Sequence, residues 1–223
     1  MIYFVTGTDT DAGKTCITAG LLRAAGSKSL GLKPIAAGCE LTAAGLRNSD
    51  ALQLMQASGI KLSYEQVNPI AFEEAIAPHI AAKRSQHPLT VEQLTPLLPQ
   101  AAMKEASLCL VEGAGGWRLP LNYQQTLPQW VQQQAWPVIL VVGVKLGCLN
   151  HALLTAAAIQ QDGLELIGWV ANQVDPSMSA YQDNLDTLKS MMPVPMLASV
   201  PFLAEPETAA DHLQQAAVRL LKV

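Results

Sequence analysis

The first fifteen residues, MIYFVTGTDTDAGKT, restrict the architecture more than any other stretch. Ile2 to Val5 is an apolar run of strand length. The chain then turns at Gly7, and Gly13-Lys14-Thr15 opens an Ala- and Leu-rich segment of helical character. A strand, a small-residue loop ending in Gly-Lys-Thr and a helix together form a phosphate cradle. The loop amides and the helix N-terminus point N–H donors at an anion. Lys14 adds a mobile positive charge toward the terminal phosphates, and the Thr15 hydroxyl is placed to ligate magnesium. The spacing is unusual. Five residues separate Gly7 from Gly13, so Thr8 stands where the first glycine of the common loop sits.

Half of the 223 residues are hydrophobic and only 14% are charged, which is rich in core and poor in solvated surface. Part of the exterior is therefore expected to lie against another subunit. The length suits one large α/β domain, 1–223. A net charge of −4 without runs of like charge argues against a nucleic-acid surface. No apolar stretch approaches the ~18 residues of a membrane span, and a core strand at the start leaves no room for a signal peptide. Cytoplasm is the expected compartment. Cys16, Cys39, Cys109 and Cys148 show no CxxC or metal-like spacing and are expected to be buried packing. Cys148 falls near a helix start, where a thiol is more readily activated.

Further strands are expected at Leu30–Leu32, Ser107–Val111, Val138–Val142, Leu164–Ala171 and Met196–Ser199. They alternate with helices at Thr15–Ala25, Leu127–Gln134, His151–Gln161, Tyr181–Met191 and from Glu207. Continuous apolar runs in that alternation predict a mostly parallel sheet with helices on both faces. Ligands then bind beyond the carboxyl ends of the strands, where Lys33, Glu112, Lys145 and Asn172 stand. Ala36 to Asn48 reads as a polar connection and Ile60 to Pro88 as an irregular segment lying over a site. Gly113-Ala114-Gly115-Gly116 reads as a flexible bend that lets backbone approach a ligand.

Glu112 ends a buried strand beside the loop strand, the Walker B arrangement with Glu for the commoner Asp. A strand-end carboxylate paired with a surface cation is the plain alternative. Asp50, after Ser49 at a helix start, reads as well for a cap as for a functional group. Lys33 near a polyphosphate would stabilise the transferring group. Asp9 and Asp11 put negative charge beside phosphates, which is costly unless they face magnesium, solvent or a substrate amine.

Taken together these residues resemble the dethiobiotin synthetase family. The matches are GTDTDAGKT at Gly7 to Thr15, GLKPIAAG at Gly31 to Gly38, LRNSDAL at Leu46 to Leu52 and VNPIAF at Val67 to Phe72. They continue with APHIA at Ala77 to Ala81, VEGAGGW at Val111 to Trp117, PVILVVGVKLGCLNHALLTA at Pro137 to Ala156 and GWVANQV at Gly168 to Val174. They run in family order over nearly the whole chain, and the long loop gap is the family's own form.

The resemblance implies a P-loop NTPase-like fold and an ATP- and magnesium-dependent closure of 7,8-diaminononanoate with carbon dioxide, supplied as CO2 or bicarbonate, to a cyclic urea. It implies Thr15, Asp50 and Glu112 as magnesium ligands, Lys14 and Lys33 as catalytic cations, and Asp9 and Thr10 at the substrate end of the loop. Nucleotide contacts are implied for Asp11, Ala12, Gly13 and Cys16 and for Gly113, Ala114 and Gly115. On the adenine side they fall to Asn172, Gln173, Pro201, Phe202, Leu203 and Glu207. Substrate contacts are implied for Ala37 and for Gly147, Cys148, Leu149 and Asn150. These four open a helix whose amides meet the substrate carboxylate across a homodimer interface.

Ala37 replaces a common Ser, Asp11 a common Glu and Cys39 a small hydroxyl residue, while Ala75 and Ala77 replace a Pro and a Ser. These departures bear on diamine affinity and leave the ATP and magnesium parts untouched. Two readings compete. One is an ATPase switch like the partitioning proteins, which carry a second lysine where Asp9 stands. The other is a divergent paralogue acting on another diamine, which Ala37 keeps open.

Overall fold

Residues 1–222 are described by the structure, a computed structural model. The chain opens with β1 (Ile2–Gly7), the loop, α1 (Lys14–Ala25) and β2 (Ser29–Leu32). Three short strands, β3 (Ile35–Ala37), β4 (Glu40–Thr42) and β5 (Gly45–Arg47), precede α2 (Ser49–Ala57). Then come α3 (Tyr64–Val67), β6 (Ile70–Phe72), α4 (Pro78–Arg84), α5 (Val91–Leu94) and α6 (Gln100–Glu105). Pro96 and Pro99 keep α5 and α6 apart, as the missing amide of proline requires, with one 3-10 turn at Thr95–Leu97 between them. From β7 (Leu108–Gly116) the alternation is regular: α7 (Leu127–Gln134), β8 (Val138–Val144), α8 (Cys148–Gln161) and β9 (Leu166–Gln173). It ends in α9 (Tyr181–Met191), β10 (Met196–Val200) and α10 (Ala209–Leu220).

The central sheet has six strands in the order β10-β9-β8-β1-β7-β2, each neighbouring pair parallel. Val5 lies opposite Glu112 on one side and Ile139 on the other, so the loop strand is central. The chain leaves β1 toward β2 on one side and later places β8 on the other, which opens a crevice beyond the carboxyl end of β1.

Side chains alternate across a strand, and both faces here are covered. Tyr3 and Val5 pack with Ile17, Leu21 and Leu213 under α1 and α10. Phe4 packs on the opposite face with Trp117, Trp130 and Ile159. Its ring meets Trp117 and Trp130 edge-on at centroid distances of 6.1 and 6.5 Å, contacts of about 0.5–1.5 kcal/mol each beyond area burial. Nonpolar runs such as Val138–Val144 follow from that double coverage.

Several sequence expectations change. Ala36 to Asn48 is not an open connection, because it holds an antiparallel hairpin of β4 and β5. Ile60 to Pro88 is not irregular throughout: it contains α3, β6 and α4, and β6 pairs in parallel with β3 in a second small sheet. Strands of three residues are too short to show a period, which is why they do not read from the sequence. Gly113 to Gly116 is the end of the nine-residue strand β7 rather than a bend. A Cβ at Gly113 would stand 2.8 Å from Phe4 Cζ, so the strand runs close over an aromatic ring there. β9 closes at Asn172 and Gln173, where the strand was expected to end. Of the cysteines, Cys39, Cys109 and Cys148 are buried but Cys16 is only half-buried. Burial pushes the Cys109 thiol up to about 12, the behaviour of inert packing.

Candidate active site

A cavity of about 1190 Å³ lies over the carboxyl ends of β1, β2 and β7. Its floor is the loop between β1 and α1. The Thr8 amide donates to Val141 O at 3.0 Å, and the Thr8 hydroxyl accepts the Gly143 amide at 3.3 Å. A hydroxyl in place of the usual glycine thus ties the lengthened loop to β8. Gly13 has φ 80°, and a Cβ there would stand 2.1 Å from Asn172 Nδ2. Only glycine tolerates both conditions. Asn172 in turn donates to Ala12 O at 3.0 Å, which locks the loop against β9.

Lys14, at the start of α1, folds back and donates to the carbonyls of Asp9 (2.8 Å) and Thr10 (3.2 Å). Burial, followed by repulsion from Lys33, pushes its ammonium down to about 8, against the pull of Glu112, Asp9 and Asp50. It remains charged at neutral pH and is held where an anion would relieve it.

Lys33, at the end of β2, is 4% exposed, and Glu112, in β7, is 1% exposed. Lys33 Nζ donates to Glu112 Oε1 at 2.7 Å and to Gly113 O at 3.1 Å, and pairs with Asp50 Oδ2 at 3.2 Å. Burial alone would lower the Lys33 ammonium, but the Glu112 and Asp50 carboxylates outweigh it and hold it above the usual lysine range. The Thr15 hydroxyl donates to the same Glu112 Oε1 at 2.8 Å. Glu112 Oε2 is buried and has no hydrogen-bond partner. Asp50 lies in the first turn of α2, but the cap of that helix is Asn48, whose side chain accepts the Asp50 and Ala51 amides. Asp50 is thereby free of a capping duty and faces the lysine.

The remaining candidates fall into three groups. Thr10 and Asp11 are exposed on the cavity rim, whereas the Asp9 carboxylate turns away to pair with Lys145, just past β8. Ala37, Ala114 and Gly115 also line the cavity, while Gly113 is buried beneath it. Beyond β9 and β10, Gln173 Oε1 accepts the Phe202 amide at 3.3 Å. Pro201, Phe202 and Glu207 are exposed there, with Leu203 half-buried. Cys16 approaches that segment through Pro206 O at 3.7 Å, and both line the cavity. Gly147, Cys148, Leu149 and Asn150 open α8 as expected but do not line the cavity of their own chain.

The sequence reading assigned nothing to Trp117 and Arg118, which form the far wall with Leu154 of α8. Asp162 fixes that wall, accepting Trp117 Nε1 at 2.8 Å and pairing with Arg118 at 2.7 Å. Trp117 follows the glycine run directly, and that adjacency was the available signal.

A family model described as an AAA domain matches residues 2–209. The ATP-dependent dethiobiotin synthetase BioD of Cellvibrio japonicus (strain Ueda107) is 51% identical over 216 residues, covering 95% of this chain and 94% of that protein. The protein of the same name from Aeromonas salmonicida (strain A449) is 52% identical over 207 residues, 92% of each chain. Among solved structures, the MinD cell division protein of Aquifex aeolicus matches with a TM-score of 0.61 at 15% identity, over 100% of this chain and 97% of that one. A ParA family ATPase from Chlorobium tepidum TLS gives 0.58 at 12%, over 99% and 97%. The two structural likenesses speak for the P-loop NTPase-like fold alone. Identity near one residue in two, sustained over nearly the full length of both partners, goes further: the chain belongs to the ATP-dependent dethiobiotin synthetase family.

Proposed function

We propose that this chain closes the cyclic urea of dethiobiotin from 7,8-diaminononanoate and carbon dioxide, with ATP giving ADP and phosphate, in biotin synthesis. The observation that carries the reading is the buried Lys33 between Glu112 and Asp50, beside Thr15 at the open side of the phosphate loop. In this reading one amine takes up carbon dioxide as a carbamate and loses a proton. A carbamate oxygen then accepts the terminal phosphoryl group of ATP, releasing ADP. The second amine attacks the carbonyl carbon of the mixed anhydride, closes the ring and displaces phosphate.

Negative charge develops at the phosphoryl and carbamate oxygens, so fixed cations aimed there supply most of the stabilisation. Lys14 meets the phosphates, with the loop amides of Ala12, Gly13 and Thr15. Lys33 serves the carbamate side, its position set by two carboxylates rather than by solvent. Thr10 on the rim stands at the substrate end of the loop, with Asp9 behind it and paired to Lys145, while Asp11 stays with the nucleotide contacts. Cys16, with Asn172, Gln173, the Pro201–Leu203 segment and Glu207, marks the adenine end, and Gly113 to Gly115 lie along the phosphates.

Thr15, Asp50 and Glu112 would hold magnesium, and the unpartnered buried Glu112 Oε2 is the oxygen that fits it. Bound there, the ion would neutralise phosphate charge. Among the described residues no group of three or more His, Cys, Asp or Glu forms a cage. That suits a metal usually held by one or two carboxylates together with phosphates and water.

Leu146 is 91% exposed and Leu154 62% exposed, on either side of the first turns of α8. A second copy covering this face would bring Gly147 to Asn150 to its cavity, with α8 amides for the substrate carboxylate. Among the described residues no helix is long and apolar enough to cross a membrane, and the reading places the reaction in the cytoplasm.

The test is ADP release with and without diaminononanoate plus bicarbonate. Strong dependence on the diamine is expected; ATP turnover indifferent to it would favour the switch reading. Ala37 lines the same cavity half-buried. Ala37→Ser is expected to tighten the diamine by about 0.5–1.5 kcal/mol through one added hydrogen bond. Equal diamine affinity in titrations of the two proteins would show that the hydroxyl finds no partner.

A further inference from the structure

Lys33 and Asp50 are joined by a second route that avoids their side chains. Asn68 Nδ2 donates to the backbone carbonyls of Lys33 (2.7 Å) and Ile70 (3.1 Å). Asn68 Oδ1 accepts the Tyr64 hydroxyl at 2.8 Å. That hydroxyl accepts the Asn48 amide at 2.7 Å. Asn48 Oδ1 accepts the amides of Asp50 and Ala51 at 3.1 and 3.3 Å and so caps α2. Asn48, Tyr64 and Asn68 are 7%, 7% and 3% exposed. Outside the chain of bonds, Arg47 stacks on the Tyr64 ring, its Cζ 4.1 Å from the centroid, and pairs with Glu65 at 3.0 Å.

Three buried polar side chains are expensive unless every group is paired, and here the pairing is complete along the run. An apolar filling would leave the Asn48 amide and the Lys33 and Ile70 carbonyls without these partners, so the run serves the backbone at both of its ends. The run connects the end of β2, which carries Lys33, to the start of α2, which carries Asp50. It also accounts for one uncharged polar position in each of two matched segments, Asn48 of LRNSDAL and Asn68 of VNPIAF.

We propose that Asn48, Tyr64 and Asn68 are positioning residues that fix the Lys33–Asp50 separation and with it the charge geometry used in ring closure. The inference rests on the roles given above to Lys33 and Asp50. Asn68 holds the main chain of Lys33, Asn48 holds the first turn of α2, and the Tyr64 hydroxyl couples the two. Without that hydroxyl, the Asn48 amide and Asn68 Oδ1 lose a shared partner, and β2 and α2 can shift against each other.

Tyr64→Phe removes the hydroxyl and keeps the ring under Arg47. It is to be measured alone and combined with Lys33→Ala, reading kcat, both KM values and urea unfolding. Tyr64→Phe is expected to lower kcat about tenfold, the usual scale for groups that orient a site residue. KM for ATP should stay within about twofold, since the phosphate loop is untouched. In the Lys33→Ala background the same change should cost less than about twofold in kcat, because the group acted upon is gone. An equal loss in both backgrounds, or lowered stability with kcat unchanged, would reduce Tyr64 to a packing residue and overturn the proposal. Wild-type turnover in Lys33→Ala alone would remove the role of Lys33 itself, a separate failure visible in the same data. If Tyr64→Phe does not fold, Asn68→Ser, which shortens the link and leaves the tyrosine in place, is carried through the same two backgrounds and read by the same criteria.

Discussion

Lys33→Ala is expected to slow ring closure by more than about tenfold, ~1.4 kcal/mol of transition-state stabilisation, and to weaken the fold as well. The two losses have different sources. On the proposed role, turnover falls because the cation serving the carbamate side is removed, and no other described cation pairs with both Glu112 and Asp50. Stability falls because Glu112, 1% exposed, is left in a buried site with only the Thr15 hydroxyl on Oε1. Removing one member of a buried pair costs about 3–5 kcal/mol for that reason. Steady-state kinetics and urea unfolding of the nucleotide-free protein check the two parts separately. Near-normal turnover would take Lys33 out of the mechanism, and unchanged stability would show that the buried Lys33–Glu112 pair does not hold the fold.

Lys14→Ala should produce an equal or larger loss of turnover with almost none of the loss in stability. Lys14 has no carboxylate on its ammonium and bonds only two carbonyl oxygens, of Asp9 and Thr10. Its charge is already disfavoured by burial and by Lys33, as the fall to about 8 shows. Deleting it therefore removes a repulsion together with two hydrogen bonds, and the unfolding midpoint should move by only a few degrees. Turnover should fall more than about tenfold, with weaker ATP binding measurable by calorimetry. A Lys14→Ala protein that unfolds as readily as Lys33→Ala would contradict this split between a charge poised for a ligand and one satisfied within the protein.

Much of the phosphate loop is legible in the sequence because its contacts are local. The strand, the small-residue turn and the Gly13-Lys14-Thr15 opening of α1 all lie within a few residues of one another. The positive φ at Gly13 and the return of Lys14 to Asp9 and Thr10 appear only in the structure. Strand-end residues are legible for a related reason: an apolar run that stops at Glu112 or Lys33 marks where a buried strand reaches the ligand side. Short strands such as β3 and β6 left no readable period, and the glycines closing β7 have no side chains to show one. The pairing of Asp9 with Lys145 escaped for another reason, since a loop aspartate shows nothing of the neighbour that a distant strand delivers.

By itself the sequence determined the phosphate loop, the parallel α/β plan and the family, all of which rest on short-range pattern or on matched residues. Tertiary structure alone decided that Lys33 and Glu112, 79 residues apart, share one hydrogen bond. It likewise decided that Asn48, Tyr64 and Asn68 join the ends of β2 and α2. The physical reason is that β2 and β7 are neighbours only through the order of strands in the sheet. A charge buried at such a junction is tolerable only when the partner from the other strand has arrived.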